Sequence, residues 1–366
     1  MGGNELRYIH EAFDSNWVAP LGPNVNSFEE DLEKFLQQDI KVAALSAGTS
    51  ALHLALIECG VGYGDEVICQ SMTFSASANP IAYCGAIPVF VDSEIETWNI
   101  CPIALEEAIV DRISKGVKPK AIIAVHLYGM PYKVDEVNGI ADKYDIPIIE
   151  DAAESLGSTY KNIATGTFGK YGALSFNGNK IITTSGGGAL ICQSNLEKER
   201  IVFLATQARD DAPHYQHSHV GYNYRMSNIV AGIGRGQMEV LEDRINARRA
   251  MNKFYQDLFA SINGVEVFKE PSNDFYSNHW LSAILIDSKV TDKTREDLRL
   301  AFLEDNIESR PLWKPMHLQP IFENCSYYGG NVSERLFENG LCLPSGSNLT
   351  DQDKFRISKV VLDFFK

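Results

Sequence analysis

Lys180 stands just after the turn Asn177-Gly178-Asn179 and is followed by the small, hydroxyl-rich stretch Thr183-Thr184-Ser185-Gly186-Gly187-Gly188. A lysine held on a fixed turn and partly desolvated can present a neutral amine and form a Schiff base. Small residues beside it let backbone approach a bulky group closely. Earlier in the chain, the apolar run Ile146-Pro147-Ile148-Ile149 ends in Glu150-Asp151 and then Ala152-Ala153-Glu154. In open α/β sheets ligands bind at the carboxyl ends of strands, and a carboxylate there can keep a pyridine nitrogen protonated so that the ring takes up electrons. Taken singly, Lys180 also fits a surface lysine on a polar loop, and Asp151 also fits a helix N-cap. Taken together, with the strand-like Ala173-Leu174-Ser175-Phe176 between them, they point to pyridoxal phosphate (PLP) chemistry.

A third element would anchor such a cofactor. In Val42-Ala43-Ala44-Leu45-Ser46-Ala47-Gly48-Thr49-Ser50-Ala51-Leu52, a short apolar run breaks at small polar residues and resumes with helical spacing. This reads as strand, tight turn and helix. The backbone N–H groups of Gly48, Thr49 and Ser50 would then lie at a helix N-terminus, where a phosphate is favoured. The turn matches neither the P-loop nor the dinucleotide fingerprint, and an ordinary N-cap explains it as well.

Seven segments, taken in order, resemble those of the DegT/DnrJ/EryC1/StrS family of PLP-dependent nucleotide-sugar aminotransferases. They are Ser46-Ala47-Gly48-Thr49, Ser71-Met72-Thr73-Phe74, His126-Leu127-Tyr128-Gly129, Glu150-Asp151-Ala152-Ala153-Glu154, Ser175 to Gly188, Gly221-Tyr222-Asn223-Tyr224-Arg225, and Arg310-Pro311-Leu312-Trp313-Lys314-Pro315-Met316-His317. Within the family the chain looks similar to the UDP-N-acetylbacillosamine-pathway aminotransferases, which carry a few residues before the counterpart of Met1-Gly2-Gly3-Asn4-Glu5.

The resemblance implies roles residue by residue. Lys180 is the Schiff-base lysine and Asp151 meets the pyridine nitrogen. Thr49 and Ser175, with the Gly48 to Ser50 backbone, hold the phosphate. Phe74 stacks on the ring, and Glu154 sits near the phenolic oxygen or the sugar. Asn223 reaches the cofactor phosphate of a second subunit in a homodimer with shared active sites. Asn179, Arg310, Trp313 and His317 contact substrate, with Trp313 and His317 lining the sugar-nucleotide pocket and Arg310 and His317 the first candidates for the glutamate carboxylate. The substrates implied are L-glutamate and a UDP-linked 4-keto sugar, with GDP-4-keto-6-deoxymannose as the alternative acceptor and a non-catalytic PLP-binding regulator as the alternative role.

Other residues read differently. Phe74 also fits a core aromatic, and Asn223 and Arg225 also fit loop-fixing hydrogen bonders; Arg225 is left out of the site. His126 closes the apolar run Ala121 to Val125 and reads as a satisfied buried histidine. His214, His217 and His219 cluster with Asp210 and Asp211, but without helical His spacing or a companion Cys; no metal site is expected.

The net charge of −15 argues against nucleic acid or an anionic membrane as partner. Seven cysteines without a C-x-x-C pair read as reduced thiols. With no signal-like N-terminus and no bilayer-length apolar run, a soluble, cytoplasmic protein is expected. The absence of a G-x-G-x-x-G turn speaks against a nicotinamide dehydrogenase, and Lys180 against the sugar 3-dehydratases of the same family, which carry histidine there.

The elements that must position these residues alternate. Strands are predicted near Val42 to Leu45, Glu66 to Cys69, Ile87 to Val91, Ala121 to Val125, Ile146 to Glu150, Ala173 to Phe176 and Gly187 to Cys192, with helices between, such as Ile103 to Ser114 and Val134 to Tyr144. That order predicts a mainly parallel sheet covered on both faces. Ser27-Phe28-Glu29-Glu30 reads as a capping box, and Ser227 as the cap of a long helix running through Met238, Leu241 and Ile245 toward Phe254. The tail predicts strands near Val265 to Phe268, Trp280 to Ile286 and Glu308, and helices near Arg295 to Glu304 and Gln352 to Phe364. The fold expected is α/β, the PLP-dependent aspartate aminotransferase-like fold (fold type I). Residues 1–240 form a large domain with a mostly parallel seven-stranded sheet, and residues 241–366 form a smaller C-terminal α+β domain on which the N-terminal segment packs.

Overall fold

The computed structural model describes all 366 residues. Seven strands from the first 192 residues build the main sheet, in the spatial order Lys41–Leu45, Gly188–Cys192, Tyr171–Ser175, Ile148–Asp151, Ala121–Val125, Glu66–Gln70 and Ile87–Val91. An eighth, two-residue strand, Tyr327–Tyr328, adds to the far edge in parallel. Every pairing is parallel except those of Gly188–Cys192, which runs antiparallel to both neighbours.

The strands read as apolar runs because both of their faces are covered. On Glu66–Gln70 and Ala121–Val125, residues Val67, Cys69, Ala121 and Ile123 pack toward the helices Gly48–Glu58, Ser75–Tyr83 and Asn195–Ala205. The alternate residues Ile68, Ile122 and Ala124 pack toward Pro102–Ser114 and Val134–Tyr144. This period of two sends successive side chains to opposite faces, and the common direction of the other six strands puts their carboxyl ends on one edge of the sheet, with Gly188–Cys192 reversed.

The tail forms a second, antiparallel sheet in the order Val265–Val267, Ser282–Ile286, Gly340–Leu343 and Arg310–Pro311. Helices Leu241–Phe259, Arg295–Glu304 and Asp351–Phe364 share a buried cluster with it, through Tyr255, Phe302 and Val361.

Three expectations are corrected. Ser27 is no cap: the helix runs Pro23–Leu36, with Pro23 in its first turn and Asn228 Oδ1 accepting from the N–H groups of Asn24 (2.8 Å) and Val25 (3.3 Å). A proline's fixed φ and a distant side chain start it a turn early. The long helix after Ser227 is two helices, Asn228–Met238 and Leu241–Phe259. They part at Val240, whose backbone leaves the helical region (φ −122, ψ 12), just after Glu239, whose carboxylate accepts from Tyr8 (2.6 Å) and Asn4. The N-terminal segment packs mainly on Asn228–Met238 and reaches the tail only where the Met1 carbonyl accepts from Arg244 at 2.9 Å. It forms the helix Glu5–Asp14, which lies so close that a Cβ on Gly236 would come 2.8 Å from the Glu5 nitrogen.

Candidate active site

The carboxyl edge of the main sheet opens into a cavity of about 1110 Å³, walled on its far side by residues 306–314 and 343–345 of the tail. Gly48 and Thr49, Thr73 and Phe74, Asp151, Ala153 and Glu154, and Ser175 line it at or just beyond the ends of four different strands.

The helix Gly48–Glu58 has no side-chain cap, and its first backbone bond is donated by Ala51 to Ala47. The N–H groups of Gly48, Thr49 and Ser50 are therefore without partners and create a positive helix end. Glycine is needed on both sides of this seat. A Cβ on Gly48 would come 3.0 Å from Ser175 Cβ, and one on Gly188 would come 2.3 Å from the Gly48 nitrogen. Thr49 and Ser175 face the cavity, whereas the Ser50 hydroxyl turns to Ser46 Oγ (3.2 Å) and offers only its backbone.

Asp151 is the last residue of its strand and is 6 % exposed. Its Oδ2 accepts from the buried Ser77 hydroxyl at 2.6 Å, itself 2.6 Å from Thr73 Oγ1, and its Oδ1 accepts from the Ala153 N–H at 3.2 Å. These bonds fix the carboxylate in one orientation.

Glu154 and Lys180 form the second pair. Lys180 Nζ lies 3.1 Å from Glu154 Oε1, and Glu154 Oε2 accepts from the Tyr128 N–H at 2.8 Å. Burial dominates this carboxyl and pushes it up to about 7, with the Asp151 charge adding and with Lys180 and the Tyr128 N–H opposing. Tyr128 adopts a left-handed backbone (φ 55) and its hydroxyl accepts from the Trp313 N–H at 3.0 Å. Such a conformation in a bulky residue persists only where its surroundings hold it.

The remaining expected residues divide. Phe74, Asn179, Arg310 and Trp313 line the cavity, with the Phe74 and Trp313 rings 5.6 Å apart. Arg310 is exposed and pairs with Glu308 at 2.6 Å. His317 is a correction: it faces away from the cavity, between Ser71 Oγ (2.6 Å) and Glu334 Oε1 (3.2 Å), with its ring stacked 3.8 Å from that of Tyr327. After Trp313 the chain turns at Pro315 into the short 3-10 turn Met316–Leu318 that carries His317. Asn223 does not line this cavity; it pairs in an isolated bridge with Thr206. Arg225 binds Glu29 and the Ala44 carbonyl, and His126 binds Glu150 at 2.8 Å, both inside the structure.

No role was expected of Ser77, Tyr128 or Trp280, although Tyr128 lies within the segment His126-Leu127-Tyr128-Gly129. Ser77 falls three residues past the segment Ser71-Met72-Thr73-Phe74, and Trp280 enters from the tail, with its ring centre 4.3 Å from the Lys180 amine. Only the fold brings them in.

This set fits PLP: a positive helix end with two hydroxyls for a phosphate, a buried oriented carboxylate, and a lysine amine, all open to one cavity. The comparisons agree. The model of the DegT/DnrJ/EryC1/StrS aminotransferase family matches residues 1–362. EpsN of Bacillus subtilis, whose name places it among pyridoxal phosphate-dependent aminotransferases, is 50% identical over 100% of this chain and 94% of its own. A GDP-perosamine synthase of Escherichia coli O157:H7 is 37% identical over 99% of this chain and 96% of its own. The crystal structure of a DegT DnrJ EryC1 StrS aminotransferase from Brucella abortus superimposes with a TM-score of 0.91 at 30% identity, covering 99% of this chain and 95% of the other.

Proposed function

The chain belongs to the DegT/DnrJ/EryC1/StrS aminotransferase family and is a PLP-dependent nucleotide-sugar aminotransferase; from that premise we propose that it moves the amino group of L-glutamate to C4 of a UDP-4-keto-6-deoxy-N-acetylhexosamine. The products are 2-oxoglutarate and a UDP-4-amino-4,6-dideoxy-N-acetyl sugar, for surface glycan or glycoprotein synthesis. The observation that carries the reading is the convergence of the Lys180 amine, the Asp151 carboxylate and the unpartnered Gly48 to Ser50 N–H groups on one cavity.

When bound, the cofactor supplies a carbonyl for the amino group and a ring that takes up the electron pair left at the donor α-carbon. Lys180 would hold it covalently and, once released, move the proton of the donor α-carbon. Asp151 would keep the ring nitrogen protonated, held in orientation by Ser77. The N–H groups of residues 48–50 and the hydroxyls of Thr49 and Ser175 would hold the phosphate, Phe74 would cover the ring, and Glu154 would stand beside Lys180. Asn179, Arg310 and Trp313 would meet the sugar nucleotide.

The wider assignment includes a large domain of residues 1–240, a small one of 241–366, and a cytoplasmic homodimer in which Asn223 serves the second subunit's site. No helix is long and apolar enough to cross a membrane. The named GDP-perosamine synthases among the relatives favour a second acceptor, GDP-4-keto-6-deoxymannose. A panel of 4-keto nucleotide sugars with glutamate, read by product NMR, decides: amination of the UDP sugar with the higher kcat/KM is expected, and preference for the GDP sugar would replace the first reading by the second.

A further inference from the structure

Trp280 is 2 % exposed, and three hydrogen bonds, one from its ring and two at its backbone, hold it. Its Nε1–H donates to the carbonyl of Asn179, the residue before Lys180, at 2.8 Å. Its backbone N–H donates to Asn278 Oδ1 at 2.8 Å, and its carbonyl accepts from the buried guanidinium of Arg248. Asn278 in turn donates from Nδ2 to the carbonyls of Glu154 (2.9 Å) and Leu156 (3.0 Å). Nothing larger than hydrogen fits at Gly129, where a Cβ would stand 1.9 Å from Asn278 Oδ1.

One buried amide therefore ties together two walls around the Lys180 amine. One wall is the Glu154 carboxylate, 3.1 Å away. The other is the Trp280 face, with its centroid 4.3 Å away. An indole face attracts an ammonium through its quadrupole and has far less hold on a neutral amine. The ring thus discriminates between the states of the lysine, which a merely space-filling side chain does not.

We propose that Trp280 is a positioning residue for Lys180: its face seats the free ammonium beside Glu154, and its N–H fixes the turn that carries the lysine. This rests on Lys180 being the reactive amine of the proposed function. Trp280 acts from the tail sheet, so the seat is complete only when the tail is docked on the main sheet.

The test uses full-length Trp280→Phe, which keeps an aromatic face, and Trp280→Leu, which does not. In cofactor-free protein at neutral pH, acylation of Lys180 by a small amine-reactive ester is followed by peptide mass spectrometry, with exposed lysines as internal reference. Trp280→Leu is expected to speed acylation about fivefold and Trp280→Phe to stay within about twofold. In the holoenzyme, Trp280→Leu is expected to lower kcat about tenfold with KM for glutamate little changed, and Trp280→Phe to recover most of it. Wild-type acylation in folded Trp280→Leu, or identical behaviour of the two variants, overturns the proposal. Should Trp280→Leu not fold, Lys180→Met supplies the readout: it is expected to shift the indole emission in the wild-type background and not in Trp280→Phe, and an unshifted emission overturns the proposal. Acylation needs no turnover, so inactivity toward every 4-keto sugar would count against the proposed function and leave this inference standing.

Discussion

The two walls of the cavity are built on opposite plans. The strand-end wall is buried and its polar groups are held: Asp151 by Ser77 and Ala153, Glu154 by Tyr128 and Lys180. The far wall, from Asn306 to Lys314, is more open, and one of its two cations, Arg310, is three-quarters exposed and pairs with its near neighbour Glu308. Charges fixed in a water-poor wall need no reorganisation when reaction begins. An exposed pair is screened and contributes little. The difference separates chemistry, which requires a rigid wall, from acceptor choice, which tolerates an adaptable one.

The sharpest way to break this comparison is at Lys180. Lys180→Ala is expected to lower turnover by on the order of a thousandfold or more, with far-UV circular dichroism unchanged; activity near wild type would remove the lysine from the chemistry. Asp151→Asn is expected to slow both half-reactions roughly a hundredfold and to weaken cofactor retention on gel filtration. Equal half-reaction rates in the variant would show that the strand-end carboxylate is only a cap.

Glu154 supplies a test in stability rather than rate. Its carboxyl is raised from an ordinary value of 4.5 to about 7, so the folded state binds this proton more tightly than the unfolded chain. The contribution is therefore fully present at acidic pH and is lost as pH rises through that window, the reverse of a salt-bridged carboxylate. Urea midpoints of cofactor-free protein at about pH 5 and about pH 8 are expected to fall with pH more in wild type than in Glu154→Gln. Parallel pH dependence in the two would mean that Lys180 keeps Glu154 ionised throughout. The smallest effect is expected on the open wall, where Arg310→Ala should raise KM for one substrate about threefold and leave kcat alone. A large loss of kcat there would erase the distinction between the walls.

Most of the main sheet was legible in the sequence, because strands buried on both faces show as continuous apolar runs, and Val134–Tyr144 and Arg295–Glu304 appear as predicted. Lys180, Asp151 and the Gly48 turn were legible because each is set by local chemistry. What was hidden depends on distant partners. Glu5–Asp14 seats Glu5 and Tyr8 against Gly236 and Gly232 of Asn228–Met238, more than 200 residues away along the chain. The strand Gly340–Leu343 is a short apolar run whose only punctuation is Asn339-Gly340, too brief to stand out from the helix before it, and is not among the predicted strands. His317 sits in a matching motif yet turns toward Ser71 and Glu334. Motif position fixes a residue's place along the chain, while the backbone turn fixes which way it faces.

The antiparallel strand Gly188–Cys192 also sets a timetable. Lys41–Leu45 has no neighbour in the main sheet other than this strand, so during synthesis the first strand made must wait, unpaired, for the last of the seven. The helix end that would receive the phosphate sits on that pair, against Gly188 and Ser175. A nascent chain that has not yet released residue 192 from the ribosome therefore has its lysine and its aspartate but no anion cradle. Long-range pairings of this kind are slow to form and expose strand edges meanwhile, which makes cofactor capture a late event in the life of each new chain.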